Sequence, residues 1–171
     1  DTTEGSCSSL AFAYAGNKAG YDVLDFRDGS SRDYFSQRDS IEKIAKLPGV
    51  RSAIFYGKDD IESANNLLND MALGKEYYMA TGRHAAIVRR YGDHYEYLEL
   101  QHPLSYGNGW KYLDDSGLKV RFGCEKRILF KNSNFLIEVD SLAGSQEFLN
   151  ILGYINTAES EQRKGDTGYV R

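Results

Sequence analysis

Residues 4–14 have the sequence Glu-Gly-Ser-Cys-Ser-Ser-Leu-Ala-Phe-Ala-Tyr, which places Cys7 where a loop passes into a helix. The serines are typical of helix N-termini, and the Ala-rich apolar run behind them favours helix. The helix is expected to run to Lys18 or Ala19, with Gly20 just after its end. Backbone N–H groups and the helix dipole at such a position favour the thiolate, and the N–H of Cys7 suits an oxyanion hole. Cys7 is therefore a candidate nucleophile; the alternative is a small buried hydrophobe on a packed helix.

Cys7 and Cys124 are the only cysteines of the chain. A disulfide between them, as in secreted proteins, would remove the nucleophile, whereas two free thiols fit a reducing compartment equally well. Cys124 lies in the stretch Phe-Gly-Cys-Glu, which has no helix-start context, and is expected to be structural. No Cys/His cluster resembles a zinc site, so the sequence predicts neither a metal nor a cofactor.

The size and charge of the chain limit the classes of protein to which it can belong. Its 171 residues fit a single domain with a sizeable core. The net charge is −4 and no long Lys/Arg cluster occurs, which argues against a nucleic-acid partner. No apolar run approaches the ~18 residues needed to span a membrane, so no membrane association is expected. Thirteen Tyr and eight Phe indicate a part rich in β-structure.

Hydrophobic periodicity predicts a mixture of helices and strands along the rest of the chain. Helices are expected at 39–47, 59–71 and 145–154, and strands at 21–26, 50–56, 76–80, 84–90, 95–101, 127–130 and 135–139. The stretch 102–117 is expected to be irregular, either bordering a ligand cleft or crossing the surface with Trp110 filling a gap. The polar residues 157–171 are expected to form a loose tail.

Two of the predicted strands form a hairpin that brings candidate catalytic side chains together. With Gly92-Asp93 as its two-residue turn, His84 lies opposite Gln101; with Tyr91-Gly92 as the turn, it lies opposite Glu99. Glu99 and Gln101 are two residues apart and share one face of their strand. In either register one lies directly across from His84 and the other lies one diagonal step away. The hairpin therefore predicts an imidazole beside an orienting side chain, as a Cys-His-carboxylate or Cys-His-amide site requires.

The remaining histidines are weaker candidates for the general base. His94 is expected in a solvated turn, and His102 precedes Pro103 at a strand end that could line a cleft. Glu96 falls on the opposite strand face from Glu99 and is expected to be a solvent-facing charge. His84 is therefore the preferred base.

Several short motifs together resemble the papain-fold toxin family, part of which is glutamine deamidase-like. They are the helix that begins at Cys7, the Gly-Tyr-Asp-Val of 20–23, the Gly-x-His-Ala of 82–85 and the acidic-x-Gln of 99–101. The Asp-Ser-Leu of 140–142, followed by a helix, is also similar to the end of that family. The resemblance covers roughly residues 5–156. Such domains form the C-termini of bacterial polymorphic toxins and occur in some phage head-associated proteins.

The resemblance implies an α+β, papain-like cysteine hydrolase fold, with the N-terminal Cys helix packed on an antiparallel sheet. The catalytic domain would be 1–156 and the tail 157–171. By position, Cys7 would be the nucleophile, His84 the general base and Glu99 the acidic residue. Many members have Asp-Pro-Gln where this chain has Glu-Leu-Gln, so either Glu99 or Gln101 would orient the imidazole, and Gln101 would alternatively donate to an oxyanion. No Gln precedes the nucleophile, in contrast to many papain-like enzymes, so the oxyanion donor is expected elsewhere.

The function that the resemblance implies is hydrolysis of a protein amide by a bacterial toxin or effector domain, namely deamidation of glutamine side chains. A papain-like peptidase and a cell-wall amidase are the alternative enzymes, because both share the same chemical steps. A non-catalytic phage or toxin-associated binding module is the alternative of a different class. The expected partners are a protein substrate and, by family resemblance, an immunity protein. The domain is expected to be the C-terminal part of a larger protein, secreted or delivered into a target cell.

Overall fold

The computed structural model of the chain describes residues 7–20, 34–55, 57–100, 109–127 and 134–153. The helices are α1 (Cys7–Lys18), α2 (Arg38–Ala45), α3 (Asp60–Asn69), α4 (Asp115–Val120), α5 (Val139–Ala143) and α6, of which 146–153 are described. The strands are β1 (Ser52–Ile54), β2 (Glu76–Thr81), β3 (His84–Tyr91), β4 (His94–Leu98), β5 (Trp110–Leu113) and β6 (Phe135–Glu138). Several predictions lie outside the described residues: the strand at 21–26, most of the strand at 127–130, Gln101, His102 and the tail 157–171.

The strands form one six-stranded sheet in the order β1-β6-β2-β3-β4-β5, in which every neighbouring pair is antiparallel. Helices α1, α2, α5 and α6 share a hydrophobic core with one face of the sheet. Helices α3 and α4 share a second core with the opposite face. The fold is therefore α+β, as the sequence predicts, with helices on both faces of an antiparallel sheet. Because β2, β6 and the first half of β3 are covered on both faces, they are almost continuously buried, whereas the last two residues of β3 are exposed.

Local sequence signals explain where several helices begin and end. The Asp59 carboxylate accepts a hydrogen bond from the Glu62 N–H at 2.8 Å and begins α3. The Asp114 carboxylate begins α4 in the same way, accepting from the Gly117 N–H at 2.9 Å. Gly20, at φ +95°, follows the end of α1 in a left-handed conformation that suits glycine. The predicted ends of α1 and the start of α3 are confirmed.

Tyr78 of β2 holds helix α1 against the sheet. The ring of Phe12 stacks on the ring of Tyr78 with 4.2 Å between centroids, and both side chains are fully buried. Ser8 lies one helical turn before Phe12, and its hydroxyl forms a buried hydrogen bond of 2.8 Å with the hydroxyl of Tyr78. At the other end, the Tyr14 hydroxyl donates to Glu76 at 2.8 Å. These contacts place the first turn of α1, and with it Cys7, beside the start of β3.

The prediction that 102–117 is irregular is wrong for its described part, because Trp110–Leu113 form β5 and α4 begins at Asp115. Strand β5 exists because it pairs with β4, from Leu98↔Trp110 to Tyr95↔Leu113, and this partner is distant in sequence. The Trp110 ring also packs under the Arg89 guanidinium at 3.9 Å. Such tertiary contacts leave no periodic signal in four residues.

The hairpins and strands differ from their predicted bounds by one to three residues. The turn between β2 and β3 is Gly82-Arg83, because Thr81 still pairs with His84. Strand β4 ends at Leu98 instead of continuing to Gln101, and β1 spans only three residues. The early end of β4 matters most, because it leaves the first residues of β3 without a described strand neighbour on that side.

Candidate functional site

Cys7 is the first residue of α1, and its sulfur accepts a hydrogen bond from the backbone N–H of Ala85 in β3. The N–H groups of Cys7 and Ser8, at the start of the helix, also point to this sulfur. The side chain is half-buried and the thiol is free. The sulfur therefore lies beside backbone donors from a helix terminus and from a strand.

The early end of β4 explains why the Ala85 N–H is available to a sulfur. The two-residue turn makes Thr81 and His84 a hydrogen-bonded pair, so the next amide, that of Ala85, points away from β2 and towards β4. The pairing of β3 with β4 ends at Ile87↔Leu98. At Ala85 the sulfur of Cys7 accepts the hydrogen bond that a longer β4 would take.

His84, the first residue of β3, is held in place by the hairpin turn and by Phe122. Its ring meets the Phe122 ring edge-on, with 5.0 Å between centroids and an interplanar angle of 74°. The Arg83 N–H donates to the Phe122 carbonyl at 2.7 Å, which fixes the turn on this backbone. Gly82 is required there, since its φ is +60° and an added Cβ would lie 2.5 Å from the Phe122 oxygen.

The structure brings three of the four predicted site residues together. Cys7 and His84 line a cleft of about 320 Å³, and they also line a recess of about 10 Å³ together with Glu99. A recess of this size approaches the volume needed for a single water molecule. The pairing Tyr91↔His94 selects the register with Gly92-Asp93 as the turn, the first of the two that the sequence leaves open. Gln101 itself lies outside the described residues.

Glu99 binds Arg121, a residue that the sequence analysis missed. The guanidinium donates Nε to Oε1 at 2.8 Å and Nη2 to Oε2 at 2.9 Å. Glu99 is only 2% exposed, and a buried carboxylate requires a cation and hydrogen bonds of this kind. The contact with Glu99 also raises the pKa of Arg121 above its ordinary value.

The prediction that Cys7 favours the thiolate is wrong for the side chain by itself. Burial raises the pKa of the Cys7 thiol above its ordinary value, and this effect is the largest. The N–H groups of Ala85, Ser8 and Cys7 and the charge of Arg121 lower the pKa but do not outweigh burial. A nucleophilic Cys7 therefore needs a neighbouring base, and His84 lines the same cleft.

The second cysteine and the second described histidine have other surroundings. Cys124 is free and 3% exposed, and burial raises its pKa to about 11, as expected for a structural thiol. The disulfide alternative is therefore not realised.

His94 is half-buried rather than solvated, because its Nε2 lies 3.0 Å from Glu96 and its ring meets Tyr112 edge-on. The Glu96 side chain is 15% exposed and also pairs with Arg89, so its prediction as a solvent-facing charge is wrong.

Within the described ranges, no group of three or more His, Cys, Asp or Glu side chains is arranged to hold a metal ion. None of the helices in these ranges combines the length and the apolar character of a membrane span. The part of the chain that the structure describes thus defines an α+β domain with a cysteine and a histidine lining one cleft. No family model, no curated protein and no solved structure matches the chain.

Proposed function

We propose that the protein is a cysteine-dependent amide hydrolase of the papain-like type, with Cys7 as nucleophile and His84 as general base. One observation carries this proposal. The Cys7 sulfur lies at a helix N-terminus and on the Ala85 amide, and the residue before that amide is His84, which lines the same cleft. A nucleophilic cysteine needs an adjacent general base, and donors at a helix N-terminus help to stabilise its thiolate.

The first half of the proposed reaction forms a thioester. His84 takes the Cys7 proton, and the sulfur attacks the carbonyl carbon of a substrate amide, which forms a tetrahedral oxyanion. We assign the N–H groups of Cys7 and Ser8, which lie beside the sulfur at the start of the helix, as the donors to this oxyanion. The intermediate collapses, the C–N bond breaks, and the nitrogen leaves as ammonia or an amine with the proton from His84.

The second half of the reaction restores the thiol. His84 takes a proton from water, and the resulting hydroxide attacks the thioester carbonyl. The C–S bond breaks, the product leaves as a carboxylic acid, and the sulfur regains its proton. Glu99 lies beside Cys7 and His84 in the small recess, and Arg121 holds the carboxylate of Glu99 in place. Glu99 therefore serves as the orienting acidic residue, as the family resemblance suggests.

The substrate proposed for this site is a glutamine side chain of a target protein, and the protein is proposed to be a toxin or effector domain. The motifs at Cys7, 82–85 and 99–101, which resemble the papain-fold toxin family, support this choice. The cleft of about 320 Å³ is large enough for one side chain with its flanking backbone. A papain-like peptidase or a cell-wall amidase would use the same steps with the substrate held differently.

The experiment that tests the proposal is incubation of the purified protein with a library of glutamine-containing peptides. A deamidase adds about one dalton to a peptide and releases ammonia, whereas a peptidase produces fragments. Cys7→Ser and His84→Gln should each abolish the product, and His94→Gln should not, because His94 does not line the cleft with Cys7. If the Cys7→Ser variant still forms product, the proposal is contradicted.

A non-catalytic binding module is the second candidate, and the raised pKa of the Cys7 thiol favours it. Thiol reactivity separates the two candidates. In a hydrolase, iodoacetamide at pH 6 should alkylate Cys7 much faster than Cys124, which is 3% exposed. Equally slow alkylation of both cysteines would support the binding module.

A further inference from the structure

The described residues that line the cleft beside Cys7 include two arginines and no carboxylate. Among the described residues that line it, the permanently charged side chains are Arg38 and Arg83, and none is Asp or Glu. The chain as a whole has a net charge of −4, so this positive region contrasts with the rest of the molecule. A cleft lined by one sign of charge concentrates ligands of the opposite sign.

Arg38 and Arg83 each have acidic neighbours among the described residues. The Arg83 guanidinium lies 3.8 Å from Glu125, and both side chains are well exposed. The Arg38 guanidinium lies 3.4 Å from Asp39 and 3.8 Å from Glu42. The Arg83–Glu125 pair is exposed on both sides, and ion pairs of this kind contribute little and exchange readily with solvent or with a competing anion. A carboxylate that enters the cleft can therefore replace the Arg83–Glu125 contact with a shorter, bidentate one.

We propose that the target amide is carried by an acidic segment of a protein, whose carboxylates bind Arg38 and Arg83 while the amide reaches Cys7. This proposal rests on the proposed function and adds the substrate class to it. The planar fork of a guanidinium matches a carboxylate, and Arg38 and Arg83 contribute one such fork each. A nucleic acid is disfavoured, because a protein of net charge −4 with no long basic cluster repels an extended polyanion.

Two reagents that differ only in charge test this selectivity. Iodoacetate is an anion and iodoacetamide is neutral, and both alkylate the same Cys7 thiolate. The rate constant for iodoacetate divided by that for iodoacetamide is therefore independent of the pKa of the thiol. This ratio reports the electrostatic field in the cleft. In the folded protein at low salt, this ratio should exceed the ratio for the urea-unfolded chain by about threefold or more. Raising the salt to about 1 M should remove the excess, because the Debye length falls to about 3 Å.

Charge reversal at the two arginines should lower the ratio. Arg83→Glu and Arg38→Glu are each expected to reduce it by about threefold or more. Arg127→Glu is the matched control, because Arg127 also pairs with Glu125 and is similarly exposed but does not line the cleft. Arg83→Gln and Arg38→Gln remove the charge without reversing it and should reduce the ratio less. They replace the Glu variants if charge reversal prevents folding.

A peptide experiment connects the cleft charge with the substrate class. A pentapeptide in which Gln is flanked by two Glu on each side should protect Cys7 from iodoacetamide better than the peptide in which Lys replaces all four Glu. An unchanged reagent ratio in both Arg→Glu variants, or equal protection by the two peptides, would overturn the proposal. Stronger protection by a short oligonucleotide than by the acidic peptide would also overturn it. Charge selectivity without glutamine hydrolysis would contradict only the proposed function, and hydrolysis without selectivity would contradict only this inference.

Discussion

Arg121 affects the candidate site in two ways. It binds both carboxylate oxygens of Glu99, at 2.8 and 2.9 Å, and its positive charge lowers the pKa of the Cys7 thiol. Burial works in the opposite direction and prevails. The reactivity of Cys7 therefore depends on a balance between burial, backbone donors and one arginine.

Replacement of Arg121 with Met should move the pH dependence of Cys7 alkylation by iodoacetamide to higher pH. Loss of a nearby positive charge destabilises the thiolate, which raises the thiol pKa further. Arg121→Lys retains the charge and should stay closer to wild type. Arg127→Met, which removes an exposed arginine outside the cleft, should have no effect. A profile for Arg121→Met that coincides with wild type would show that Arg121 does not act on the sulfur.

At the scale of the structural element, the β2–β3 hairpin turn positions His84. Its glycine, Gly82, has φ +60° and lies against the Phe122 carbonyl, whereas Gly92, in the turn between β3 and β4, has φ +64° and no neighbour within 4 Å of an added Cβ. The two glycines have the same backbone conformation and differ in their surroundings. Their comparison therefore separates the contact from the conformational strain.

Gly82→Ala should destabilise the protein more than Gly92→Ala. Each variant carries the cost of a left-handed non-glycine residue, about 1 kcal/mol. Gly82→Ala adds a contact of 2.5 Å with backbone, which forces the turn to move and costs about 1–3 kcal/mol more. Urea unfolding measures the difference, and Gly82→Ala should also slow the alkylation of Cys7 at pH 6 because His84 shifts. Equal free energies of unfolding in the two variants would contradict this account of the turn.

At the scale of the whole molecule, the sequence predicts those parts of the fold that local interactions determine. Helix α1, the start of α3 and the hairpin around Gly92 follow from caps, periodicity and turn residues, and all are confirmed. The sequence leaves two turns open for this hairpin, and the structure selects Gly92-Asp93. Strand β5 and the Glu99–Arg121 pair depend on partners that only the folded chain brings together, so no pattern in the sequence identifies them. The raised pKa of Cys7 has the same origin, because burial is a property of the tertiary structure.

The acid stability of the whole domain should depend on the ion pairs of Glu138, the last residue of β6. Arg51 donates to its two oxygens at 2.5 and 2.7 Å, and Lys75 donates at 3.2 Å. These bonds, mainly those from Arg51, lower the pKa of Glu138 to about 2. Because the folded pKa lies below the unfolded value of about 4.3, the stabilisation is complete above that value and is lost as the pH falls towards 2.

Arg51→Met should therefore lower the free energy of unfolding at pH 6, and the difference from wild type should shrink between about pH 4 and pH 2. Urea unfolding at several pH values measures this difference. Arg127→Met is the control, because its partner Glu125 is substantially exposed and such pairs contribute little. A difference that stays constant down to pH 2 would show that Arg51 stabilises the fold by packing and not through the charge of Glu138.

The central claim is that Cys7 and His84 act as a nucleophile and its base. The rate of Cys7 alkylation by iodoacetamide against pH, in wild type and in His84→Gln, tests it most directly. Without the imidazole, the thiol must ionise at its own raised pKa, so we expect the profile of His84→Gln to move to higher pH and the rate at pH 6 to fall about tenfold or more. The profile of His94→Gln should match wild type. Superimposed profiles of wild type and His84→Gln would contradict the claim.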